Sequence, residues 1–431
     1  MKKKQQTIAE ELNTKEINRP NRLFYGVLKI VARTVLKWQY NPKIFWKDNF
    51  SKVKGPYILI SNHASRADYL FNSAYLKERV NHVLGYNEFF RSHLSGTVNG
   101  VSCIPKKNFV FEVKPMMRMK RIIEQGGVVS IYPEGMSSIS GANQPVASGT
   151  GNFLKKMGVP VYYSLIKGGY LSCPKYNTTD RPGTVESVLD IMFTVDDLER
   201  MSAEEIEDRV NELLYHDDYE WNKKKKYHYK TKGKAAEGLD TLLYYCPKCK
   251  KDYVMRSEGD KIYCSECGNG ATLDDTYEMH PFSKECVIPA TQTKWFRIQR
   301  ENAKEEVKDP NFEIKVKVKL GMLPDYELLK NKETSEIVGE GELTLNRSGL
   351  TYVGTRKGEE VTLNVKLADL PTYGMCTDVT RFYTFFDGIF HEFYPEHNIV
   401  MKWFLLTEEL HRLMGGKWQD FKFDVESIDS K

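Results

Sequence analysis

The chain has 431 residues, of which 41% are hydrophobic, 12% aromatic and 28% charged. That composition excludes collagen-like, mucin-like and disordered chains and is too charged for a multi-span membrane protein, while the length suggests roughly three domains at about 150 residues each. Lys+Arg 63 against Asp+Glu 58 leaves a net charge of +5, a diffuse surplus that hints weakly at an anionic partner and does not imply nucleic acid.

The N-terminus, MKKKQQTIAEELNTKEINRP, is basic but lacks the apolar stretch of a secretory signal. The eight cysteines are too sparse for a secreted disulfide scaffold, so a reducing, cytoplasmic setting is expected. The first patterned segment is Arg19 to Tyr40, where Phe24, Val27, Leu28, Val31 and Val35 recur at helical spacing and Lys29, Arg33 and Lys37 repeat on another face. Its cations leave fewer than about 18 consecutive apolar residues, so it does not span a bilayer. Two readings stand: a helix packed on its own domain, or one lying among lipid headgroups with its cations on anionic lipid.

From Gly55 to about Asn222, short apolar runs alternate with stretches of helical period. Tyr57–Ser61, Val128–Tyr132 and Val159–Ile166 read as buried strands, and Tyr69–Val80 and Phe111–Glu124 as helices, the second stopped by Gly126-Gly127. The alternation predicts an α/β domain with a largely parallel sheet, whose reactive residues belong at strand ends. Met201 to Tyr215, capped by Ser202 with Glu205 three residues on, reads as the closing helix. The lysine run Lys223–Lys226 reads as a solvated helix end or linker.

Polar residues crowd two of those strand ends. After Tyr57–Ser61 come Asn62, His63 and Asp68; across a strand-to-helix turn the carboxylate can hold the imidazole in one tautomer, leaving the other ring nitrogen to take a proton from a hydroxyl. This is the base half of a serine-protease triad without the serine, so the nucleophile comes from the substrate. After Val128–Tyr132 come Pro133, Glu134, Gly135, Met136, Ser137 and Ser138, with backbone that a ligand can approach closely at the glycine. Between the clusters, Lys106 and Lys107 offer two cations on a loop to an anionic headgroup. Cys103 nearby reads as a small buried hydrophobe.

The ordered set N-H-x4-D (Asn62, His63, Asp68), G-x3-I-P-K (Gly100, Ile104, Lys106), Y-P-E-G (Tyr132 to Gly135) and G-V-P-V (Gly158 to Val161) resembles the four sequence blocks of the glycerolipid acyltransferases, the 1-acylglycerol-3-phosphate acyltransferase family. The resemblance covers about residues 20 to 220. It implies transfer of a fatty acyl group from a thioester, acyl-CoA or acyl carrier protein, to a hydroxyl of a lysophospholipid. His63 would be the general base and Asp68 its orienting partner. Asn62, Lys106, Lys107, Pro133, Glu134, Gly135 and Ser137 would be substrate-binding. It also implies N-terminal helices on the membrane surface, and so a peripheral, monotopic enzyme at the cytoplasmic face. Two departures weaken the case for a phosphate monoester acceptor: Lys106 and Ser137 stand where the family usually has arginine. A degenerate, lipid-binding scaffold is the alternative.

Cys246-x2-Cys249 and, after fourteen intervening residues, Cys264-x2-Cys267 are two knuckles that would place four thiolates around one structural zinc, and the segment resembles a zinc ribbon. From about Thr291 the chain turns β-rich, with period-two runs at FEIKVKVKL, GELTLNRSGLTYVG and VTLNVKL and turn residues at Asn346 to Gly349 and Asp387-Gly388. The aromatic run RFYTFFDGIFHEFY reads as strand packing, His391 and His397 as exposed histidines, and TEELHRLMGGKWQD as a short last helix with Thr407 as cap and Gly415-Gly416 as stop. Strands followed by one helix suit a small barrel or sandwich, which resembles the pleckstrin-homology-like architecture. The expected organisation is membrane-surface helices over 1–50, an α/β acyltransferase domain over 51–235, a small zinc ribbon over 240–275 and a mainly β domain over 290–425, with no nucleic-acid partner.

Overall fold

A computed structural model describes residues 5–47, 53–331, 333–416, 421, 422 and 425. Its strands form three sheets. The first contains β1 (Lys43–Trp46), β2 (Tyr57–Ser61), β3 (Val80–Gly85), β4 (Ile104–Lys106), β5 (Val128–Ile131), β6 (Val161–Lys167) and β7 (Glu186–Phe193), in the order β1-β7-β6-β2-β5-β3-β4. Central β2 runs parallel to β5 and β6 and is buried along its whole length, as a Val/Ile/Leu-rich strand covered on both faces should be. The β6–β7 pair is antiparallel and β1 follows β7, so one edge runs against the rest.

The three strands read from sequence are β2, β5 and β6; β1, β3, β4 and β7 were not anticipated. The helix expected over Tyr69–Val80 spans only Asp68–Tyr75, because Leu76 turns extended and the chain enters β3. Its C-terminal end is held from outside: Arg33 Nε donates to Ala74 O at 2.7 Å, and Lys29 Nζ to Lys77 O, just beyond the helix, at 3.1 Å. Both cations come from the helix Arg22–Gln39, which Asn21 caps and which buries Tyr25, Ala32 and Leu36. Two of the three cations expected to meet lipid therefore hold the protein together. The outward stripe of that helix is apolar: Leu23, Val27, Ile30, Val31 and Trp38 are each more than half exposed, Trp38 at 84%.

The second sheet is the antiparallel β8 (Met255–Glu258), β9 (Lys261–Cys264), β10 (Gly270–Leu273) and β11 (Met279–Pro281). The third contains β12 (Glu313–Met322), β13 (Glu336–Asn346), β14 (Gly349–Arg356), β15 (Glu359–Val365), β16 (Gly374–Met375), β17 (Phe382–Phe386) and β18 (Ile389–Pro395). Every pairing in it is antiparallel, in the order β15-β14-β13-β12-β18-β17-β16. Its aromatic residues Phe382, Phe386 and Phe393 are buried, as strand packing requires.

Two expectations fail in this last third. The final helix starts at Val400 and runs to Leu413, so Thr407 is not its cap but a mid-helix residue whose hydroxyl donates to Trp403 O at 2.9 Å and lies 3.1 Å from Tyr373 Oη. Residues Val400 to His411 are all buried, and a helix wrapped on every side has no amphipathic period to betray it. His391 is buried rather than exposed: its Nδ1 lies 2.9 Å from Ile389 O, and burial pushes its imidazole down to about 4.

The first sheet packs in clusters of its own, one of them around Ile58, Val129 and Val161, whereas the second and third sheets share a core. One apolar cluster runs from Met136, Tyr170 and Tyr219 through Leu242, Met255 and Ile262 to Trp295, Leu343 and Trp403. The helix Gln292–Glu306 rivets it, with Trp295 Nε1 donating to Tyr245 O at 2.8 Å and Arg300 paired with Glu408 and Glu409 of the last helix at 2.7 and 2.8 Å.

Candidate active site

At the C-terminal end of β2 the chain turns into the helix Asp68–Tyr75 within six residues, and this turn folds His63 back over Asp68. His63 Nδ1 lies 2.9 Å from Asp68 Oδ2, with the imidazole side chain 26% exposed and the carboxylate fully buried. Asp68 also accepts from Ser65 N and Ser65 Oγ, both at 2.8 Å. Burial pushes its carboxyl up, while the bonds from His63 and Ser65 pull the other way. With Nδ1–H donated to Asp68, Nε2 keeps the free lone pair of the ring. The Tyr132 ring lies against the imidazole, centroids 4.5 Å apart, and its hydroxyl accepts from Asn72 Nδ2 at 3.2 Å.

Glu134 sits at the end of β5, where it joins the two clusters. Its Oε1 accepts from His63 N at 2.7 Å and its Oε2 from Gln144 N at 3.0 Å. Burial raises its carboxyl to about 8 against the pull of those two backbone bonds. Ser138 N donates to His63 O at 2.7 Å, so the His63 peptide is held on both sides by the β5 loop. Gly135 has φ +80°, and a side chain there would meet the Phe109 ring at 2.8 Å, so the loop needs glycine.

The other expected substrate-binding residues divide. Asn62 is spent on β6, donating to Ile166 O at 2.8 Å and accepting from Ile166 N at 2.7 Å. Pro133 is buried. Lys106 is turned inward: its Nζ donates to Lys107 O and Val110 O, both at 3.0 Å, and burial pushes its ammonium down. Lys107 lies over the Tyr86 and Phe385 rings at 5.6 and 5.9 Å, with Glu112 Oε1 at 3.9 Å. Asn62, Lys106 and Glu134 therefore brace the site from within. Ser137 is half-buried and accepts from Lys175 Nζ at 3.2 Å.

Sequence reasoning missed two cations beside this cluster. Arg66, inside the His63–Asp68 turn, is ion-paired with Asp180, which also accepts from Gln39 at 2.6 Å and Tyr40 at 3.1 Å. Lys175, from the loop after β6, is buried at 7% exposure. No local spacing advertises either role. Cys103 is buried, as expected, with its thiol raised to about 12.

The cysteine cluster closes as its spacing predicts. Cys246 Sγ and Cys267 Sγ are 3.7 Å apart, as are Cys249 Sγ and Cys264 Sγ, and all four sulfurs lie within 4.8 Å of one another. A tetrahedron of bonds of about 2.3 Å has edges of about 3.8 Å. The knuckles match: Lys250 N donates to Cys246 O and Gly268 N to Cys264 O, and both donors have positive φ, +60° and +69°. The donor set fits zinc.

Residues 42–166 match the family model described as Acyltransferase. No curated protein matches. Among solved structures, the 1-acyl-sn-glycerophosphate (LPA) acyltransferase PlsC from Thermotoga maritima is similar at 18% identity with a TM-score of 0.38, over 44% of this chain and 76% of that one. The matched segment holds His63, Asp68, Lys106 and Glu134 and ends in β6. Over residues 42–166 the chain is thus similar to the family described as Acyltransferase.

Proposed function

We propose that the protein moves a fatty acyl group from a thioester, acyl-CoA or acyl carrier protein, to a hydroxyl of a lysophospholipid such as 1-acylglycerol-3-phosphate. The observation that carries this reading is the His63–Asp68 pair, 2.9 Å apart with the carboxylate fully buried and the imidazole reachable. His63 Nε2 takes the proton of the acceptor hydroxyl as its oxygen attacks the thioester carbonyl. Asp68 holds the ring and stabilises the imidazolium, and the proton then passes to the departing thiolate. With the nucleophile supplied by the substrate, no acyl-enzyme forms.

The protein works from the membrane surface, at the cytoplasmic face. No helix among the described residues is long and apolar enough to cross a membrane. The exposed stripe Leu23, Val27, Ile30, Val31 and Trp38 suits shallow burial among headgroups. The four cysteines hold a structural zinc, whose closed thiolate shell leaves it no part in catalysis. Seven antiparallel strands followed by one buried helix support the pleckstrin-homology-like reading of the last third.

Lys106 and Ser137, at the usual arginine positions, favour a second reading, a lipid-binding scaffold with little turnover. Mass spectrometry of lipids formed by the purified protein, given mixed acyl donors and a lysophospholipid panel, decides between them. New diacyl product supports transfer; thioester hydrolysis alone supports the scaffold.

A further inference from the structure

Lys175 carries a buried ammonium that no carboxylate among the described residues reaches as an ion pair. Its Nζ donates to Ser137 Oγ at 3.2 Å and to Met375 O at 2.8 Å, two neutral acceptors for three N–H donors. Neighbouring carboxylates are occupied: Asp180 by Arg66, Asp378 by Thr380 and Arg381, Glu88 by Arg91. Burial is the main reason its ammonium is pushed down to about 8, with the Arg66 charge adding to it and Cys376, Glu88 and Asp378 pulling the other way. A buried charge without an opposite charge is costly, and such a cost persists where a ligand repays it.

The position is specific. Ser137 adjoins Ser138, whose N–H holds the His63 carbonyl at 2.7 Å, so the ammonium contacts the loop that holds the peptide of the base. Ser137 is also where the family usually has a guanidinium. Met375 lies in β16, so the C-terminal sheet closes over the ammonium, and Asp378 N donates to Lys175 O at 2.8 Å to fix that contact.

Resting on the acyl-transfer reading, we propose that Lys175, with Ser137, binds a phosphoryl oxygen of the substrate, a cation brought from the loop after β6 to the place of the missing arginine. The C-terminal sheet then forms one wall of the substrate site. A lysophospholipid headgroup and coenzyme A both carry phosphoryl oxygens, and kinetics separates them.

The test compares wild type with Lys175→Gln and Lys175→Arg, using 1-acylglycerol-3-phosphate and the phosphate-free monoacylglycerol as acceptors. In Lys175→Gln, kcat/KM for the phosphorylated acceptor should fall at least tenfold through KM, with monoacylglycerol transfer unchanged and Lys175→Arg restoring much of the loss. A rise in the KM of acyl-CoA instead assigns the phosphate to the donor. An equal fall with both acceptors at unchanged KM for acyl-CoA, or no fall, overturns the proposal, since loss of a purely structural tie to Met375 would not discriminate between the acceptors. If Lys175→Gln does not fold, Ser137→Asp, which places a carboxylate against the ammonium, should produce the same selective loss; its absence overturns the proposal. If wild type transfers to neither acceptor, the acyl-transfer reading fails on its own. Titration calorimetry with 1-acylglycerol-3-phosphate then judges the site: tenfold weaker binding by Lys175→Gln supports it, and equal binding overturns it.

Discussion

Glu134 bridges the two strand ends that make the site, one carboxylate oxygen on His63 N and the other on Gln144 N. Both contacts use acceptors, which a carboxylate has on both sides and a carboxamide on only one. In Glu134→Gln an amide NH₂ therefore faces a backbone N–H, leaving a buried donor unpaired at a cost of about 1–3 kcal/mol. The midpoint of chemical denaturation should fall accordingly, and acyl transfer should fall with it because the His63 peptide loses its anchor. A variant with unchanged stability and activity contradicts the bracing role.

Asp68→Asn tests the orienting role. The amide keeps the volume but can present an N–H to the imidazole, turning the ring to the wrong tautomer, and a loss of about 10³-fold or more in kcat is expected with the fold intact. Comparable activity in the variant would show that His63 needs no carboxylate.

The cysteine cluster predicts one zinc per chain by elemental analysis. Cys249→Ser should lose the metal and lower thermal stability, because the ribbon shares its core with the helices Gln292–Glu306 and Val400–Leu413. Purified protein without metal but with full stability contradicts the site.

The outward stripe of the helix Arg22–Gln39 predicts a separable membrane contact. Replacing Leu23, Ile30 and Trp38 by Ser removes exposed apolar surface without touching Tyr25, Ala32 or Leu36 in the core. Co-sedimentation with phospholipid vesicles should fall at least tenfold while thermal stability stays the same. Undiminished sedimentation excludes this face as the contact.

How much of this was legible followed from distance along the chain. His63 and Asp68 are five residues apart across one turn, and the two Cys knuckles are local, so both groupings lie within reach of sequence spacing, the first with the help of the second polar cluster at the end of β5. Glu134 was seen beside a flexible glycine, yet nothing in sequence says that its partner is a backbone N–H 71 residues away. Lys175 meets Ser137 across 38 residues and Met375 across 200, contacts set by sheet order and domain docking rather than by pattern. The cations of the helix Arg22–Gln39 misled because periodicity gives faces but not which face meets protein. The last helix was shortened for a related reason: burial on all sides leaves no period to read.

Acyl transfer to a lysophospholipid by His63→Ala, followed by mass spectrometry of the product, tests the central claim most directly. The fold should be retained, since His63 contributes a partly exposed ring and its backbone contacts survive in alanine. The expected result is a fall of about 10³-fold in transfer at unchanged thermal stability. Near-normal transfer by this variant would contradict general-base catalysis at His63.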